Sequence, residues 1–184
     1  MKPLLLHIKA FGPFIDEIID FSLLENSNLY IISGDTGSGK STILDALFFA
    51  FFGETSGNEK DIKHMKSQFV DTEKNKSEIS CIFSVYKRKF SIHRILPYRS
   101  QGAKAELIEI TDQGEEIISS GVQQTNEAIK KILLLSADQF RKIVILPQGK
   151  FREFLTSDSN NKEKILKVIF NTANFEKIRD SLQF

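Results

Sequence analysis

The sequence is poor in the residues that redox and metal chemistry draw on, with one cysteine and three histidines in 184 residues. A single thiol excludes an internal disulfide. Cys81 lies in the alternation Ile79-Ser80-Cys81-Ile82-Phe83, which predicts a buried strand residue rather than a reactive group. His7 has no second His or Cys at ligand spacing and reads as a strand-face residue. Long apolar runs are missing too: the opening Met1-Lys2-Pro3-Leu4-Leu5-Leu6 is too short for a signal peptide, and no stretch approaches a membrane span. A cytoplasmic chain is expected. Charge of one sign is also lacking, since 25 basic and 24 acidic residues leave a net charge of +1. Any nucleic-acid surface must then come from local clustering. What remains, 41% hydrophobic and 27% charged residues, is an ordinary composition for one domain with a sizeable core.

The sharpest chemical signal is Gly34-Asp35-Thr36-Gly37-Ser38-Gly39-Lys40-Ser41, a complete G-x-x-x-x-G-K-[ST] phosphate-binding loop. Leu29-Tyr30-Ile31-Ile32-Ser33 before it has the length and branching of a buried strand. After it, Ile43, Leu44, Leu47, Phe48 and Phe51 carry helical spacing over residues 41–52. Gly34, Gly37 and Gly39 lack a Cβ, so the backbone is expected to take φ > 0 and wrap successive N–H groups around an anion. The helix start adds its positive dipole end at the same point. Lys40 would reach the β and γ phosphates, and the Ser41 hydroxyl is the expected Mg²⁺ ligand. The alternative is a chance glycine turn capped by Thr36 or Ser38. Chance would supply the pattern in fewer than about 1% of chains this long.

Residues 4–11 and 17–21 alternate as strands on either side of the turn Gly12-Pro13-Phe14, predicting an antiparallel pair. The polar stretch up to Ser77, with Lys60, Lys63, His64, Lys66, Lys74 and Lys76 among acids, reads as loop with a helical turn and a solvated surface. Phosphate or DNA contact is the other reading. Residues 78–86, 89–96 and 105–111 predict an antiparallel meander, closed by the turn signal Asp112-Gln113-Gly114. The meander holds the densest basic cluster, Lys87, Arg88, Lys89, His93, Arg94, Arg99 and Lys104, interleaved with Tyr86, Phe90 and Tyr98. Such a comb suits a phosphate backbone, although Glu106 and Glu109 flank it.

A helical period follows over residues 121–135, and Ser136 is the expected N-cap of the next helix. Ile143-Val144-Ile145-Leu146 reads as a second buried strand ending in Pro147-Gln148-Gly149-Lys150-Phe151. Ligands of open α/β sheets bind just beyond such strand ends, where the Gln148 amide oxygen would reach a metal or a water. Residues 151–184 are helical in pattern and stop at Phe184 without a cap, so truncation is expected. No apolar strand ending in Asp-Glu is found, although hydrolases of this type use one for metal and base. Asp20 follows only Ile18-Ile19, and Asp112 ends an alternating run.

Several segments together resemble the N-terminal lobe of the SbcC family, the SMC-like ABC ATPases of double-strand break repair. They are Ile8-Lys9-Ala10-Phe11-Gly12-Pro13-Phe14, the loop through Thr42 with Ile43-Leu44-Asp45-Ala46-Leu47-Phe48 and Phe52-Gly53, and Met65-Lys66-Ser67. Asp138-Gln139-Phe140 running into Ile145-Leu146-Pro147-Gln148-Gly149-Lys150-Phe151, with Phe154-Leu155, completes the likeness. The resemblance implies an α/β fold, the N-terminal lobe of a P-loop NTPase ABC-type head, over residues 1–170, with a mixed sheet, an antiparallel meander and C-terminal helices. Residues 171–184 would start a coiled coil.

It further implies that residues 34–42 hold ATP and Ser41 holds Mg²⁺. Gln148 would be the Q-loop glutamine, contacting Mg²⁺ and sensing the γ-phosphate. Lys66 and Ser67 would contact the nucleotide region, and Gly12 to Phe14 would lie near base and ribose. Walker B carboxylates, signature motif and switch histidine would come from a C-terminal lobe of the same natural polypeptide. Further implied partners are a second head in a homodimer, an SbcD-like nuclease and double-stranded DNA. An SMC or recombination-mediator ATPase without a nuclease, a P-loop small-molecule kinase and a non-catalytic nucleotide-gated module are the alternatives. The arginine-poor stretch after Phe151 speaks against the kinase.

Overall fold

The computed structural model describes residues 1–24, 31–55, 65–71 and 75–143. The chain divides into two compact units, residues 1–134 and residues 135–184.

Alternating sequence produces the sheet of the first unit. Its strands are β1 (Lys2–Phe11), β2 (Phe14–Asp20), β3 (Glu78–Val85), β4 (Arg88–Ile95), β5 (Lys104–Thr111) and β6 (Gly114–Ser120), all paired antiparallel in the order β2-β1-β3-β4-β5-β6. Every second side chain of a strand faces one side. Leu6 and Ile8, then Ile79, Cys81 and Phe83, then Phe90 and Ile92, then Leu107 therefore form one fully buried face. Cys81 is buried as expected, and burial pushes its thiol up to about 12.

Helix α1 (Lys40–Phe52) packs against β1, β3 and β4, and α2 (Val122–Leu133) packs against β5, β6 and α1. The α1 contacts are largely aromatic, with Phe51 edge-on to Phe83 at 5.0 Å and Phe11 against Phe49 at 5.8 Å. Each buried ring contributes roughly 1.5–3 kcal/mol. Gly53 ends α1 in a left-handed conformation, φ 70°, and its N–H donates to Phe49 O at 2.8 Å. The edge strand β2 carries Asp16, Glu17 and Asp20, charges that discourage pairing with another chain.

In the second unit, α3 (Ala137–Ile143) begins with the expected cap. The Ser136 N–H donates to Gln139 Oε1 at 2.9 Å, and the Gln139 N–H donates to Ser136 Oγ at 3.3 Å, a reciprocal capping box.

Three expectations change. Residues 31–33 form no strand, and Ile31 is 86% exposed. A strand of that kind is buried by parallel neighbours on both sides, and among the described residues none pairs with it. Ile143 closes α3 rather than opening a strand, while residues 144–184, with Gln148 and the coiled-coil helix, lie outside the described residues. The sixth strand, β6, is not signalled by alternation in Glu115-Glu116-Ile117-Ile118-Ser119-Ser120. A register shift opposite Leu107/Ile108 inserts an extra residue and breaks the period of two. Among the described residues, no helix is long and apolar enough to cross a membrane.

Candidate nucleotide site

The loop over residues 34–39 leads straight into α1, and two of its glycines take backbone angles that side chains resist: Gly37 at φ 88° and Gly39 at φ 91°. Gly39 is the N-cap residue of α1, and no side chain bonds the cap. The first-turn amides of a helix have no intrahelical acceptor, so those of α1 point into the loop with the positive end of the helix dipole behind them. The Ser38 N–H donates to Asp35 O at 3.2 Å and closes the turn.

Gly34 departs from the expected φ > 0, since it is not among the glycines with positive φ. Its value is close approach: a Cβ there would stand 3.0 Å from Ser38 Oγ. Lys40 Nζ arches back over the loop and donates to Gly34 O at 2.8 Å and Asp35 O at 2.6 Å. Its charge is thus held on the loop backbone. Ser41 is exposed at the start of α1, beside Thr42.

The β1–β2 turn is packed directly on this loop. A Cβ on Gly39 would stand 2.6 Å from Pro13 Cγ and 2.9 Å from Phe14 Cζ, and one on Gly12 would stand 2.6 Å from Thr42 Cγ2. The segment Met65-Lys66-Ser67 clips to the same end of β1. The Gly12 N–H donates to Met65 O at 2.7 Å, the Ser67 N–H donates to Ala10 O at 3.0 Å, and Lys66 pairs with Phe11. Residues 12–14, 34–42 and 65–67, distant in sequence, are therefore one neighbourhood built on the end of β1. Ser67 itself is buried, and its hydroxyl accepts the Phe69 N–H at 3.3 Å.

The basic comb over the meander does not form. Arg94 and Phe90 face the core and are buried. Arg88 is bound through two nitrogens to Glu109, each at 2.6 Å, which holds that carboxyl below its ordinary range. The His93 ring contacts Glu78 at 3.2 Å, and the Arg99 guanidinium lies 5.2 Å from the Tyr98 ring centre. Tyr86, Lys87 and Lys89 remain exposed at the hairpin tip. Strand alternation is the physical reason, because neighbouring residues point to opposite faces.

Sequence reading missed what Arg94 does. It follows Phe90 and Ile92 at a spacing of two, a parity that marks the core face and that its charge outweighed. Burial lowers its guanidinium to about 10, still charged at neutral pH.

Among the described residues, no group of three or more His, Cys, Asp or Glu could hold a metal ion by itself. A metal at this loop would share its coordination with phosphate oxygens, as Mg²⁺ commonly does.

The chain is 40% identical over 189 residues to the SbcC component of the SbcCD nuclease from Staphylococcus aureus strain MRSA252, and equally to that of strain JH9. All of this chain is covered, but it spans 19% of the length of those relatives. Among solved structures, it superposes at a TM-score of 0.61 and 19% identity on a chain from work on ATP-driven dimerization and DNA-stimulated activation of SMC ATPases. That match covers 92% of this chain and 99% of the other, and it bears out the expected ABC-type head lobe as a fold. With residues 5–183 matching the AAA domain family and the phosphate loop inside that span, the chain belongs to the AAA domain family.

Proposed function

We propose that this chain is the ATP- and Mg²⁺-binding half of an ABC-type ATPase head that controls DNA binding and nuclease activity in double-strand break repair. The observation that carries the reading is the loop geometry: amides at a helix start whose cap residue is a glycine, two left-handed glycines and a lysine held on the loop's own carbonyls. The donor set fits a triphosphate, being anion-binding backbone plus one mobile cation.

In this reading the amides of residues 34–42 hold the phosphates, and Lys40 leaves its two carbonyls for the β and γ oxygens. The Ser41 hydroxyl would hold Mg²⁺, which would supply charge neutralisation to the phosphates. As the resemblance implies, Gln148 would contribute to holding the metal, and Lys66 and Ser67 would contact the nucleotide region. The 184 residues carry no Asp-Glu strand end for hydrolysis. Those carboxylates and the signature motif would come from a C-terminal lobe and from a second head. The similarity to SbcC components of the SbcCD nuclease supports an SbcD-like nuclease and double-stranded DNA as partners.

Titration with a fluorescent ATP analogue and Mg²⁺ tests the reading. The chain binds it, Lys40→Ala loses it while circular dichroism and Tm report the fold separately, and phosphate release stays near background. Steady phosphate release by the 184-residue chain, abolished in Lys40→Ala, would contradict the half-site.

A further inference from the structure

The carboxyl end of α1 is held by a residue that the nucleotide reading does not use. Arg94 is 2% exposed. Its Nε donates to Ala50 O at 2.6 Å, and its Nη2 donates to Phe51 O at 2.9 Å and to Asn126 Oδ1 of α2 at 2.7 Å. The last four carbonyls of a helix lack intrahelical donors. In α1 the Gly53 N–H serves Phe49 O, and Arg94 serves the next two. A cation there also complements the negative end of the helix dipole. Gly53 keeps the passage open, because a Cβ would stand 2.7 Å from Arg94 Nη1.

An apolar residue at 94 would fill the row Phe90, Ile92, Arg94 but would leave Ala50 O, Phe51 O and Asn126 Oδ1 without the donor that serves them, so stability is one part of what Arg94 supplies. What an apolar residue cannot do is fix a direction. The aromatic contacts of α1 come largely from burial, which is non-directional, and fix the helix less sharply than directed hydrogen bonds do. Two donors on successive carbonyls, about 100° apart around the axis, oppose both sliding and rolling of the helix. The amino end of the same helix carries Lys40 and Ser41.

We propose that Arg94 is a positioning residue for the nucleotide site, setting the axial position and rotation of α1 from its far end. The amides, Lys40 and Ser41 are thereby presented in register with the β1–β2 turn. This rests on the nucleotide-binding reading above and extends it to a residue remote from the phosphates. It also ties nucleotide occupancy to β4 and, through Asn126, to α2.

The test compares Arg94→Met, Arg94→Lys and a core variant of β5 (Leu107→Val or Leu107→Ala, whichever matches the fall in Tm of Arg94→Met) in the full chain. Affinity for the fluorescent ATP analogue is measured well below every Tm. Arg94→Met is expected to bind roughly tenfold more weakly, Arg94→Lys to recover part of the loss, and the matched variant to stay within about twofold of wild type. Equal affinities for Arg94→Met and the matched variant overturn the proposal.

Amide exchange over residues 44–48 is the second readout. It should be faster in Arg94→Met than in the matched variant, and equal exchange again overturns the proposal. Should the wild-type chain fail to bind the analogue, the nucleotide reading falls, and exchange alone decides whether Arg94 positions α1. If Arg94→Met does not fold, Asn126→Ala removes one acceptor of the guanidinium and enters both assays with the same outcomes.

Discussion

Gly37 and Gly39 share nearly the same backbone angle, φ 88° and 91°, but not the same surroundings. An alanine at either must hold a left-handed conformation, which costs about 1–2 kcal/mol. At Gly37 that is the whole penalty, because nothing lies within 4 Å of the added methyl. At Gly39 the methyl would stand 2.6 Å from Pro13 Cγ and 2.9 Å from Phe14 Cζ, where carbons normally meet at about 3.5–4.0 Å. The β1–β2 turn would have to retreat by about 1 Å, an overpacking cost of roughly 1–3 kcal/mol. It cannot retreat freely, because the Gly12 N–H is tied to Met65 O at 2.7 Å. Gly39→Ala is therefore expected to lose about 2–5 kcal/mol and Gly37→Ala about 1–2 kcal/mol. Urea unfolding of both variants reads the difference, and nucleotide titration reads whether the loop survives. Equal midpoints and equal affinities for the two variants would refute the claim that the turn is seated on the loop.

Three further outcomes follow from the same kind of geometry. Gly53→Ala strains a residue at φ 70° and drives a methyl into the Arg94 guanidinium, so its fall in Tm should exceed that of Gly37→Ala; an equal fall would mean that Arg94 swings aside freely. Glu109 is held below its ordinary pKa by Arg88, so the folded state favours its ionised form. That contribution is complete above the unfolded carboxylate pKa of about 4.3 and disappears as pH falls through the folded value. Urea midpoints between about pH 3 and 6 should drop less steeply in Glu109→Gln, and an unchanged slope sinks the assignment. Cys81, buried with a thiol pushed up to about 12, should react with a thiol reagent only as fast as the sheet opens; rapid labelling of native protein would contradict its burial.

The parts of this fold that were legible in sequence are those whose chemistry is local. The phosphate loop announces itself because glycines, lysine and serine act within eight positions. The hairpins show because alternation and turn residues are short-range signals, as is the Ser136–Gln139 box. What was hidden depends on long-range contact. Arg94 counted as surface charge until Ala50 and Phe51 carbonyls stood beside it. Gly12 read as a turn glycine, and only the approach of Thr42 gives it a second reason. The bulge in β6 erased the one pattern by which that strand would have been found.

The register of β1 carries a consequence for how the site comes into being. β1 and β2 join through a tight turn, whereas Leu6 stands opposite Cys81, a closure over about 75 residues that costs roughly 4 kcal/mol of chain entropy on the logarithmic scale. The phosphate loop lies inside that span, and the helix that follows it, α1, packs on both β1 and β3. A nucleotide that binds only the closed arrangement would lower the free energy of closure by RT ln(1 + [L]/Kd), about 2.7 kcal/mol at a hundredfold excess over Kd. On the proposed function, ligand and long-range strand pairing would form one cooperative event, and the nucleotide would act as a folding ligand of the sheet before any chemistry begins.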